Sequence, residues 1–235
     1  MFAVTDIRLS EACRHSLQAL GFSIVSLPPF PSLDPRIASH PDMLMLPLDD
    51  FVFIHETYYP IAKRQFDLLF SKGNLIPRRI ITTVGFHYPN DVPLNILATK
   101  DSLVARADQM PQDILLYAKS SGREIIDTKQ GYAKCSTLLL GDTAAITADP
   151  SIDRALHSRS IETLRISPGH ISLDGYDYGF IGGASGVYEK TVFFCGNIET
   201  HPDAQRIVDF CNAHGYQVVC LSDGPLFDMG TIFFL

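Results

Sequence analysis

The amino-acid sequence predicts an α/β fold arranged as a five-fold pseudosymmetric propeller, closed by pairing the N-terminal strand with the C-terminal unit. Three observations predict it. A helix followed by three short strand-like runs recurs along the chain. The fifth recurrence stops one strand short, and an unmatched strand, MFAVT, stands at the other end. The starts of the middle strands, taken as Asp42, Asn95, Cys135, Asp177 and Asp228, recur at a mean step of about 47 residues, one fifth of 235. Repeats of this length are the mark of solenoids and propellers. A strand shared between the termini favours closure, because a ring leaves no sheet edge unpaired.

The helices come from period and punctuation. Ser10 caps a run ending at Leu20, with Gly21 as its stop. Residues 60–71 have helical period and a stop at Gly73. Residues 111–120 stop at Gly122, residues 151–158 form a short helix, and residues 202–213 begin with Pro202 and end at Gly215. Each is followed by an apolar strand: FSIVSL, RRIITTV, REIIDT, ETLRI and YQVVCL. Paired runs come next: DMLMLPL with FVFIH, LNILAT with SLVAR, CSTLLLG with AAITA, and YDYGFIGG with TVFFCG. DMGTIFFL closes the chain. A doubly wound sheet is the alternative, since MFAVTD, a helix and FSIVSL form a strand–helix–strand unit. No Gly-x-Gly-x-x-Gly or Gly-Lys-Ser/Thr loop accompanies it, and paired short strands between helices suit a parallel sheet poorly.

Bulk composition bounds the function. Hydrophobic residues make up 46% and charged residues 19%, so the chain can bury a core as one domain spanning 1–235. A net charge of −7 argues against a nucleic-acid surface and favours a neutral or cationic small ligand. No apolar run reaches the roughly 18 residues that span a bilayer. The five cysteines (13, 135, 195, 211 and 220) are odd in number and lack a Cys-x-x-Cys, and no signal peptide opens the chain. Reduced thiols in a cytoplasm are therefore expected. His15, His55, His87, His157, His170 and His214 form no metal-spaced cluster, and no metal or other cofactor is expected. Oligomeric state is not written in the sequence.

In a ring the starts of the middle strands meet at the axis. His40 with Asp42, Cys135, Asp177 and Asp228 would then converge from distant parts of the chain. Gathering carboxylates in a low-dielectric site is costly unless a cation or protons offset them, which points to a cationic ligand. The plainer readings are a buried inert thiol at Cys135, a turn residue at His40, and strand-start turn residues at Asp42, Asp177 and Asp228. Cys13, Cys195, Cys211 and Cys220 read as core. A second His-Pro-Asp at 201–203 opens a helix and is structural. Lys134 should face away from its neighbour Cys135. The glycines from Gly179 to Gly186 suggest close backbone approach or a loop over the axis, and the Pro-rich stretch 26–35 an ordered crossing or lid.

These residues carry a resemblance. His40-Pro41-Asp42 is a His-x-Asp motif, Cys135-Ser136-Thr137 a Cys-x-Thr strand, Asp228-Met229-Gly230-Thr231-Ile232 an Asp-x-Gly strand, and Asp177 precedes Phe180 by three residues. The pattern resembles the pentein, or guanidine-modifying, superfamily of arginine deiminases, agmatine deiminases and dimethylarginine dimethylaminohydrolases. The resemblance implies a five-unit ring and a hydrolase or amidinotransferase acting on a small cationic guanidino or amidino substrate. By the same resemblance Cys135 is the nucleophile, His40 the proton carrier and Asp228 its orienting partner, while Asp42 and Asp177 hold the guanidinium N–H groups. The order departs from the familiar enzymes, in which the acids come first and Cys last, so the chain looks circularly permuted relative to them. The alternative is a non-catalytic pentein-fold binder of a protein or a small cation, for which a ribosome-binding translation factor of this fold is the precedent.

Overall fold

A computed structural model describes residues 1–71 and 75–235. The stop expected at Gly73 lies outside the described residues. The strand β1 (Phe2–Asp6), helix α1 (Glu11–Ala19) and β2 (Ser23–Leu27) open the chain. Ser10 caps α1 by accepting the Cys13 N–H, and Gly21 ends it with φ +90°. The short helix α2 (Pro41–Leu44) leads into β3 (Met45–Leu48), β4 (Phe51–His55), α3 (Lys63–Ser71) and β5 (Ile76–Ile80). The next unit is β6 (Leu97–Ala98), β7 (Ser102–Ala105), α4 (Gln112–Ser121) and β8 (Glu124–Asp127). Then come β9 (Thr137–Leu140), β10 (Ala144–Thr147), α5 (Pro150–His157) and β11 (Glu162–Arg165). The chain closes with β12 (Ser185–Tyr188), β13 (Thr191–Phe194), α6 (Ala204–Ala213), β14 (Gln217–Cys220) and β15 (Phe233–Phe234).

Among the described residues the strands form five three-stranded sheets. In four of them, a central strand pairs antiparallel with one neighbour through a short connection and parallel with the other through a helix. Thus β4 is antiparallel to β3 and parallel to β5, and β10 is antiparallel to β9 and parallel to β11. Parallel neighbours need a crossover, so each helix belongs between the second and third strands of a sheet. The repeat read from the sequence is therefore shifted by one step: FSIVSL completes the sheet before it. The sheet β15–β1–β2 has the same design with its members drawn from both ends of the chain. β1 runs antiparallel to β15, with Ala3 opposite Phe234, and parallel to β2.

The five inner strands β3, β6, β9, β12 and β15 surround one axis. Pro47, Leu97, Leu139, Val187 and Phe233 all line a single cavity of about 250 Å³ at one end of it. The outer strands β8, β11 and β14 are exposed at both ends and half-buried between. Charged residues such as Glu124, Asp127, Glu162 and Arg165 sit at those ends, which discourages further pairing. Helices cover the sheets through single apolar faces. On α3, Phe66 is fully buried, stacked with Tyr59 and Phe70 and edge-on to Tyr58. Burial of one such ring contributes about 1.5–3 kcal/mol. No helix among the described residues is long and apolar enough to cross a membrane.

Candidate active site

The ionisable residues gather around a cavity that shares no lining residue with the inner-strand one. Cys135 lies in the turn before β9, not on the strand itself. Its backbone is fixed from three sides: Asn95 Oδ1 accepts both the Lys134 and Cys135 N–H groups, and Cys135 O accepts the Gly183 N–H at 2.8 Å. The buried thiol donates to Asp228, with Sγ 3.2 Å from Oδ2 and 3.5 Å from Oδ1. Burial pushes the Cys135 pKa well above the ordinary thiol value, and the Asp228 and Asp42 charges push it the same way. At rest Cys135 is a neutral thiol.

Asp228 is fully buried and satisfied by backbone donors: Phe180 N–H to Oδ2 at 2.8 Å and Gly230 N–H to Oδ1 at 2.9 Å. Two glycines make room for this group. A Cβ on Gly183 would fall 2.0 Å from Asp228 Oδ1, and one on Gly230 (φ +67°) would fall 2.1 Å from the His40 Cβ. Both positions admit only glycine without displacing the site.

His40, immediately ahead of α2, is extended as the following proline demands. Its ring is buried between two carboxylates, with Nδ1 3.9 Å from Asp228 Oδ1 and Nε2 3.8 Å from Asp6 Oδ2. Asp6, at the end of β1, is fully buried and bonded by the Arg8 guanidinium and the Ser39 hydroxyl.

Asp42 does not line the cavity. The peptide register of α2 turns its carboxyl inward, where Oδ2 lies 3.0 Å from Thr231 Oγ1. Burial raises its pKa. Thr231 Oγ1 is also 2.8 Å from Gly182 O and 3.1 Å from Lys134 Nζ. A hydroxyl has one proton to give. That proton serves either Asp42 Oδ2 or Gly182 O, while the oxygen's lone pairs accept from Lys134 Nζ. Lys134 reaches this lower layer and opens on the inner-strand cavity, away from Cys135, and burial lowers its pKa.

Asp177 is exposed and lies in the loop before β12 rather than at a strand start. The axial position of that unit belongs to Gly182 and Gly183: the Asp228 carboxylate fills the space a side chain on Gly183 would take, and the backbone carbonyls of Lys134, Cys135 and Thr137 fill that of Gly182. Asp177 instead borders a cavity of about 240 Å³ that it shares with His40, Cys135 and Asp228. Aromatic rings of Tyr132, Tyr176 and Phe180 form much of the wall. Of the residues expected to meet, His40, Cys135, Asp177 and Asp228 share this cavity, and Asp42 lies outside its lining.

Sequence reasoning passed over Asp6, Asn95 as a backbone acceptor, and the aromatic wall. Asp6-Ile7-Arg8 and Asp34-Pro35-Arg36 repeat one Asp-x-Arg device, in which the carboxylate accepts the arginine's own N–H and its guanidinium. That spacing was a readable signal. The Arg36 guanidinium lies 4.3 Å over the Tyr176 ring and donates to Gly175 O, tying the Pro-rich crossing to the loop that carries Asp177.

Residues 4–233 match a family model described as a family of unknown function (DUF6873). The chain belongs to this family. No curated protein matches the sequence. Among solved structures, the chain is similar to dimethylarginine dimethylaminohydrolase from Pseudomonas aeruginosa, determined as a cysteine-to-serine variant complexed with citrulline. The TM-score is 0.58 at 11% identity, covering 94% of this chain and 91% of that one. It is similar also to an adduct of dimethylarginine dimethylaminohydrolase with 4-chloro-2-hydroxymethylpyridine (TM-score 0.57, 13% identity, coverage 94% and 91%). SxtG, an amidinotransferase of the saxitoxin pathway from Microseira wollei, matches at TM-score 0.58 and 10% identity over 89% of this chain and 75% of its own. The fold is the pentein fold of these proteins, five three-stranded units about one axis.

Proposed function

We propose that this family member is a single-domain cytoplasmic enzyme, a hydrolase or amidinotransferase of a small guanidino or amidino compound. The observation that carries the reading is one cavity shared by a thiol, an imidazole and two carboxylates from positions 40, 135, 177 and 228, walled by aromatic rings. Planar cations suit such a lining, since carboxylates accept their paired N–H groups and aromatic faces stabilise their charge.

In this reading the substrate cation enters past Asp177 and its N–H groups displace the Cys135 thiol from Asp228. The positive charge lowers the thiol pKa where it matters. Cys135 gives its proton to His40, and Sγ bonds to the central carbon. His40 delivers a proton to the departing nitrogen as the C–N bond breaks, leaving an amidine on sulfur. Water then gives a proton to His40 and adds to the same carbon. Collapse breaks the C–S bond, returns the proton to sulfur and releases a urea or ureido product. A transferase differs only in using an amine in place of water. Asp42 acts from below, through the buried network that supports Thr231 and the Gly230 turn.

Purified protein offered arginine, agmatine and N-methylated arginines is expected to release ammonia or the amine, with an acid-stable amidine adduct on the Cys135 peptide by mass spectrometry. Cys135→Ser should keep the fold and lose both. Full turnover by that variant would rule out the covalent route. A second reading, a binder without turnover, draws on the neutral, carboxylate-held thiol. Saturable guanidine binding with neither product nor adduct would favour it.

A further inference from the structure

A second pair of sulfurs lies apart from this site. Cys13, in the first turns of α1, and Cys195, just after β13, are both buried and face one cavity of about 280 Å³. Arg8, Ser10, Ser222 and Met229 share its wall. The two side chains belong to one apolar cluster, where Leu9, Leu17, Phe193 and Leu221 hold the surrounding backbone. Neither has a part in the chemistry proposed above.

The surroundings of Cys13 are those of a thiolate. The Cys195 thiol and the Ser10 and Ser222 hydroxyls share its cavity, and with the Gly196 N–H they favour its charged form. The Ser10 hydroxyl proton is free for this role, because its oxygen already accepts the Cys13 N–H at 3.3 Å. The first turn of a helix adds its own attraction for a negative charge. The Cys195 contact is the largest cause that lowers the Cys13 pKa to about 6, against the opposing effect of burial, while Cys195 is pushed upward by the same contact and by burial. Such splitting between adjacent thiols gives one nucleophile and one proton-bearing partner. By contrast Cys211, buried alone in another cluster, is pushed up to about 11 by burial.

We infer that Cys13 and Cys195 form a dithiol site that reacts with hydroperoxides and closes to a disulfide. The Cys13 thiolate attacks the terminal peroxide oxygen. The O–O bond breaks, the alkoxide or hydroxide leaves and takes up a proton, and Cys13 becomes a sulfenic acid. The Cys195 sulfur then displaces hydroxide from the Cys13 sulfur, its own proton completing a molecule of water. Two thiols lose two electrons to the peroxide, which supplies the only oxidant required. The oxidised pair adjoins the active-site support, because Cys195 O accepts the Phe227 N–H and Cys195 N–H donates to Ala184 O, next to Asp228 and Gly183 respectively.

The test treats the reduced whole protein with one equivalent of hydrogen peroxide at neutral pH. Remaining thiols are blocked with iodoacetamide and peptides are mapped without reduction. The expected product is one intramolecular link between the peptides of Cys13 and Cys195, formed at least tenfold faster than any oxidation of Cys211. In Cys195→Ala, Cys13 should instead be trapped by dimedone as the sulfenic acid. Ser222→Ala should slow the reaction by raising the Cys13 pKa. Oxidation of Cys13 no faster than Cys211 in the wild-type protein, or a link from Cys13 to exposed Cys220, would overturn the assignment whether or not the variants fold.

Discussion

Asp228→Asn isolates the electrostatic control of Cys135. The carboxylate lies 3.2 Å from the sulfur, and both groups are buried. At an effective dielectric near 20, a unit charge opposes a thiolate at that distance by about 5 kcal/mol. Burial, the larger cause of the raised Cys135 pKa, stays in place, so the thiol pKa should fall without reaching that of an exposed cysteine. The substitution also costs stability. Asp228 accepts from both Phe180 N–H and Gly230 N–H, and an amide oxygen can serve only one side, leaving a buried donor unpaired at about 1–3 kcal/mol. The assay is the pH dependence of iodoacetamide alkylation of Cys135, followed on its own peptide, beside urea unfolding of both proteins. The expected result is a titration midpoint displaced downward together with a modest loss of stability. An unchanged or higher midpoint in a folded variant would refute the claim that Asp228 holds the proton on Cys135.

Gly183→Ala should displace Asp228, because the new methyl would fall 2.0 Å from Oδ1. The expected outcome is a loss of about 1–3 kcal/mol in urea unfolding and faster alkylation of Cys135. Phe66→Ala removes a fully buried ring from the α3 face and should cost about 3–5 kcal/mol by the same measurement. His55, buried with its Nε2 against Met43 O, has its pKa lowered to about 4 by burial. The unfolded chain therefore binds a proton near pH 6.5 that the folded chain refuses until about 4. This contribution is full above 6.5 and is lost as pH falls through that window, to a total of about 3 kcal/mol. His55→Gln should flatten this part of the stability–pH curve, and an unchanged curve would count against it. Arg36→Ala releases Tyr176 and Gly175 at the cavity rim and, under the proposed reading, should raise KM with little change in kcat.

The ring was legible because each level of the sequence agreed. Ser10, Gly122 and Gly215 punctuate helices where the apolar period requires them, and the leftover strand at each end matches the other. The phase of the repeat was not legible, because a strand's partners depend on crossover geometry that a linear pattern does not contain. Motif and spacing singled out Cys135, His40 and Asp228, and all three line one cavity. Asp177 was assigned to a strand start because it is acidic, whereas the axis there needed Gly183, whose contribution is an absent side chain. Asp42 sits at the expected depth but faces the Thr231 layer, a choice made by the turn of α2 rather than by residue type. Asp6 escaped notice because a carboxylate closing an apolar strand looks like an ordinary strand end until its arginine partner is placed.

The sheet built from both chain ends bears on biosynthesis. A ribosome delivers β1 well before β15, which emerges only after the segment carrying Asp228. During that interval β1 has β2 beside it but one flank bare, and His40 and Cys135 are already present without the carboxylate that keeps the thiol protonated. Docking of the last segment therefore does three things in one event: it covers an adhesive flank, caps the axial cavity and tames a sulfur. A nascent or truncated chain lacking that segment would carry an unguarded thiol and a sticky edge together, which are features that protein quality control can recognise.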